Sequence, residues 1–112
     1  MAKLEVTLSG SLDEWVRRIE EGILQGSVSA SLEDGSDFIS PDGQTRCCVR
    51  VFERFSWAGS NRVSLNVTLF QNEPGVILCS AISSGGSQAK FFKINTIGEE
   101  NFLDCMWKIV GT

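Results

Sequence analysis

Between Thr45 and Phe70 the chain alternates apolar and polar residues twice over. Cys47, Val49, Val51 and Phe55 fall at alternate positions, with Arg46, Cys48, Arg50, Phe52 and Arg54 between them. Further on, Val63, Leu65, Val67 and Leu69 alternate with Arg62, Ser64, Asn66, Thr68 and Phe70. Successive side chains of a β-strand point to opposite faces. The pattern therefore predicts two long paired strands, apolar on one face and arginine-bearing on the other. Trp57-Ala58-Gly59-Ser60-Asn61 between them is short and turn-prone, which suits an antiparallel hairpin.

The flanking segments extend this sheet. Lys3 to Ser9 sets Leu4, Val6 and Leu8 against Glu5 and Thr7, a half-buried strand. Ser11 to Glu14 has the form of a capping box and opens a helix whose buried stripe is Leu12, Trp15, Val16, Ile19 and Ile23. Gly22 weakens that helix and Gly26 ends it. Period two resumes over Ser27 to Glu33, and Asp34-Gly35 is a turn or a bulge before Phe38-Ile39. Ser40 to Gly43 and Asn72 to Gly75 are turns. Val76 to Ser83 is a further strand, apolar on both faces at Val76-Ile77-Leu78, which suggests cover on both sides there. Ser83 to Gln88 breaks the pattern, and Phe91 to Ile94 is a short apolar piece of either type. A second capping box, Thr96 to Glu99, starts a last helix with the stripe Phe102, Leu103, Met106, Trp107 and Val110.

The order β-α-β-β-β-β-α gives a two-layer α+β domain over residues 1–112, an antiparallel sheet with both helices on its apolar face. That order resembles the TATA-binding-protein-like and Bet v 1-like (helix-grip) folds, a likeness of architecture that carries no function.

Composition narrows the chemistry. A net charge of −4 disfavours nonspecific nucleic-acid binding, which needs clustered Lys and Arg. Four cysteines without CxxC spacing, and no histidine, fit neither a zinc set nor a disulfide framework. Cys47 and Cys48 are neighbours on one strand and diverge, so reduced thiols and a cytoplasmic setting are expected. The start Met-Ala-Lys-Leu-Glu lacks a signal-peptide core, and no apolar run spans a bilayer. No metal, cofactor or membrane partner is expected. With neither His nor Tyr, catalysis is poorly supported and no catalytic residue is assigned, although Cys48 and Cys105 are candidate accessible thiols.

Two sets of residues remain as candidate sites. Ser84, Gly85, Gly86, Ser87 and Gln88, with Lys90 and Lys93, form a small-residue segment whose amides could meet an anionic ligand. It matches neither GxxxxGK[ST] nor GxGxxG, and a plain connection uses the same residues. Arg46, Arg50, Phe52, Arg54, Arg62 and Phe70 form the second set, an outward row of arginine and phenylalanine suited to a dimer interface. Bare solvent-facing arginines are the plainer reading of that row. The carboxylates Glu33, Asp34 and Asp37 fit a solvated acidic turn better than a calcium loop.

The runs Gly26 to Asp37, Asn61 to Leu69, Ser84 to Gln88 and Phe91 to Glu100 make the whole chain resemble a small family of uncharacterised bacterial proteins of about this length. The family carries no assigned activity, so the resemblance implies no site residue. Three functions follow, in order of preference. The first is a non-enzymatic binding or assembly domain, dimeric through the arginine and phenylalanine face. The second is a small-molecule carrier with a cavity between the Phe102 to Val110 helix and the sheet. The third is an enzyme using Ser83 to Lys93.

Overall fold

Why the strands sit where they do is settled by the register of the central pair. The computed structural model describes residues 2–27, 29–56, 61–85 and 93–111. Its elements are β1 (Ala2–Ser9), α1 (Leu12–Gly26), β2 (Ser31–Ile39), β3 (Arg46–Ser56), β4 (Asn61–Glu73), β5 (Val76–Ser84) and α2 (Lys93–Val110). The predicted order β-α-β-β-β-β-α is the observed one, and the five strands form one antiparallel sheet in the order β1-β5-β4-β3-β2. Strands β2 to β5 are consecutive hairpins. Because β1 pairs with β5, α1 must carry the chain from one sheet edge to the other. α2 returns over β1, β4 and β5, beside α1.

Local chemistry accounts for the punctuation. The Ser11 hydroxyl accepts from the Glu14 amide at 3.3 Å, one half of the expected box, and α1 ends at Gly26 as expected. The turns before β3 and β5 put Gly43 and Gly75 at φ 77° and 78°, a left-handed conformation that side chains with a Cβ resist.

Several boundaries differ from expectation. α1 runs to Gly26 and β2 begins at Ser31, so the strand expected to start at Ser27 starts later. The alternative left open at Asp34-Gly35 resolves as a bulge: pairing with β3 slips between Leu32 and Asp34. α2 starts at Lys93, so Thr96 lies inside it; nothing in Lys93 to Asn95 resists a helix, and the box signal alone does not fix a start.

One turn residue decides the faces. The sequence places Asn61 in the hairpin loop, but Asn61 pairs with Ser56, so every odd-numbered residue of β3 lies opposite an even-numbered one of β4. The two apolar sets therefore point to opposite faces of the sheet, since partners in an antiparallel pair share a face. The helices take the side of β4. Val63, Leu65, Val67 and Leu69 are buried there with Leu4, Leu8, Ile77, Cys79 and Ala81, under Leu12, Ile19, Ile23, Phe102, Leu103 and Met106. β3 contributes Cys48 and Phe52 to this core, the residues expected to face outward.

Candidate functional site

The arginine row consequently lies beneath the helices, and the expected interface is corrected. Arg46 donates to Asp13 of α1 at 2.8 Å. Arg50 reaches Glu20 of α1 at 2.7 Å and Asp37 of β2 at 2.9 Å, and its side chain is only 16% exposed. Arg54 donates to Ser27 at 3.4 Å and stacks on Phe102 of α2, 5.0 Å from the ring centre. Phe52 is 0% exposed. The charge-assisted bonds from Arg46 and Arg50 hold the Asp13 and Asp37 carboxyls below their ordinary value. These arginines tie sheet to helices: their stems cover apolar surface, the heads of Arg46 and Arg50 meet acids at the rim, and that of Arg54 meets Ser27 and Phe102. Arg50 and Phe52 are thereby taken up inside the chain rather than presented on an open face.

Phe70 and Arg62, the other two of that set, do face away from the helices. Arg62 lies opposite Phe55, 5.3 Å from its ring centre, and pairs with Glu53. Phe70 belongs to a row that crosses four strands: Phe38, Cys47, Phe70 and Leu78 are successive register partners. Phe38 is 64% exposed, Phe55 52% and Leu78 49%. Ile82, 39% exposed, and half-buried Val49 and Val51 extend this apolar area. Ser36, Thr68, Ser80 and Asn66 fill the positions between, so the middle of the face carries no charge. A depression of about 440 Å³ lies over its β1, β5 and β4 side, lined by Glu5, Thr7, Thr68, Phe70, Leu78 and Ser80.

The cover expected on both sides of Val76-Ile77-Leu78 is thus found on one. Ile77 is buried under helices, and Leu78 projects from the open face. The signal for this face was legible in β3 and β5 as apolar residues on both strand faces. What the chain could not reveal by pattern alone was which set lies inside.

The small-residue segment falls largely outside the described residues. Gly86, Ser87, Gln88 and Lys90 lie outside them, while Lys93 is the first residue of α2. The Ser84 hydroxyl, 2.7 Å from that of Ser64, is used within the sheet. Ser83 is wholly buried, and its hydroxyl has no partner among the described residues. Phe102 and Met106, which would line a cavity between α2 and the sheet, are fully buried in the core.

Of the thiols, Cys48 is buried rather than accessible, and burial pushes it up to about 11, with Asp37 adding to the shift. Burial alone pushes Cys79 up to about 11. Cys47 and Cys105 are partly exposed, and all four are free. Asp34 accepts from the Gly35 amide at 2.8 Å, Glu33 accepts from Ser31, and Asp37 is committed to Arg50. Among the described residues no three carboxylates or thiols are grouped to hold a metal ion, and no helix is long and apolar enough to cross a membrane.

The whole chain, residues 1–112, matches a family described as a family of unknown function, DUF6054. No curated protein and no solved structure matches it.

Proposed function

The chain belongs to this family of unknown function, and from that premise we propose that it is a non-enzymatic assembly domain that dimerises through the open face of its sheet. The observation that carries this reading is an uncharged middle to a five-stranded face, where Val49, Val51, Phe70, Leu78 and Ile82 alternate with Asn66, Thr68 and Ser80, and Phe38 stands out at the β2 edge. Charge depletion and aromatic enrichment at the centre, with charge at the rim, are how recognition surfaces differ from the rest of a protein. An apolar patch of this breadth is rarely left to water. Five strands at about 4.8 Å spacing and eight residues at about 3.3 Å rise make a face of ~600 Å². Two copies stacked on it bury ~1,200 Å² in all, the lower end of stable interfaces.

Size-exclusion chromatography with light scattering tests the reading. Wild type is expected to run as a dimer at high micromolar concentration. Leu78→Asp is expected to run as a folded monomer, its circular dichroism unchanged. Phe52→Asp, in contrast, strikes the core and should unfold the chain. A wild type that stays monomeric, or a Leu78→Asp variant that stays dimeric, overturns the open face as the interface.

A further inference from the structure

Two copies of one sheet face can be related by a two-fold axis that runs along the strands or across them, and the charges at the sheet edges distinguish the two. On the reading that the open face associates with itself, we infer that the axis runs along the strands over β4, setting Lys3 of each copy against Asp34 of the other. One register row carries the inference. Asp34, Val51, Asn66, Ile82 and Lys3 are successive partners across β2, β3, β4, β5 and β1. Read from edge to edge, the row is acid, apolar, amide, apolar, base.

A two-fold along the strands keeps each row over itself and reverses its order. Asp34 then meets Lys3 of the second copy, Val51 meets Ile82, and Asn66 meets Asn66 over the axis. Each half of the row is the chemical complement of the other half. The row that contains Phe70 behaves likewise, with Phe70 over Phe70. A two-fold across the strands instead sets each edge on its own copy. With that axis over the same row, β2 would face β2 with Asp34 on Asp34, and β1 would face β1 with Lys3 on Lys3. Like charges opposed at a rim cost binding and opposite ones steer it, so the first arrangement is favoured. Glu5, the other charge on the β1 edge of this face, meets Ser36 in that arrangement, one row from the Lys3 pair.

The test uses two charge reversals at exposed positions, Lys3→Asp and Asp34→Lys. Each alone opposes like charges twice per dimer and should weaken dimerisation about three- to ten-fold in low salt. Mixed together, the two variants regain both pairs in the heterodimer. Native mass spectrometry of the mixture should show heterodimer above the statistical half, and the excess should shrink in high salt as the charges are screened. Statistical mixing of dimers that Leu78→Asp still dissociates overturns the axis and leaves the open face as the interface. Single variants that dissociate and do not recover on mixing overturn the axis too. A monomeric wild type overturns both.

Discussion

Arg50 holds three elements with one side chain: its own strand β3, Glu20 on α1 and Asp37 on β2. Replacing it with Gln leaves exposed Asp37 and half-buried Glu20 without their cation. Arg50→Gln is expected to lower stability by about 1–2 kcal/mol, read as a shift in the urea midpoint. The same pairs make stability depend on acid. Asp13 and Asp37 titrate below their ordinary 3.8 in the folded chain, so the unfolded chain binds protons first as pH falls. Their contribution is fully present above that value and lost as pH drops through the lower folded values. Wild type should therefore lose stability below about pH 4, and Arg50→Gln should lose less over the same window. The thiols give a further check. At pH 8, Cys47 and Cys105 should react with a thiol reagent in native protein, whereas Cys48 and Cys79 should react only in urea.

Among the elements, Gly22 has a role that propensity conceals. From the sequence it reads only as a weak point of α1. In the structure a Cβ there would lie 2.6 Å from Ile109 Cδ1 and 2.7 Å from its Cγ1, so the missing side chain is what lets α1 and α2 approach. Gly22→Ala gains about 1 kcal/mol of helix propensity and loses about 1–3 kcal/mol to overpacking. A net loss is expected in thermal melts. In an Ile109→Ala background the same change should become stabilising, because the clash is gone and the propensity gain remains. The β3–β4 hairpin teaches a related lesson about reading strands. Both apolar sets were legible as sets, but their relation hung on whether Asn61 is loop or strand. One residue of register exchanges the faces of a whole strand.

At the scale of the molecule, the chain is a slab, 20 Å across its shortest extent and 14.5 Å in radius of gyration. A slab with one helical face and one bare sheet face leaves half of a β-sandwich unmade, since stacked sheets normally share their inner faces. Stacking on a second copy along the thin direction should raise the radius of gyration only modestly, to roughly 18 Å, while side-by-side pairing through sheet edges should give roughly 20 Å or more. Small-angle scattering separates the two. The acidic, bulged β2 also argues against edge pairing, because bulges and charges are how sheet edges are kept from joining.

Alternation, turn residues and helical stripes are local properties, and they were enough to determine the order of elements, the antiparallel sheet and the two-layer class. They also placed Arg62 and Phe70 on the outer face and Leu4, Leu8 and Phe102 in the core. Which side of β3 the helices cover was decided only in the folded sheet. That choice depends on pairing between strands, where β4, β5 and β1 set the buried side together and β3 follows by register. The acids that neutralise its Arg46 and Arg50 stand on α1 and β2, 13 to 33 residues away in the chain.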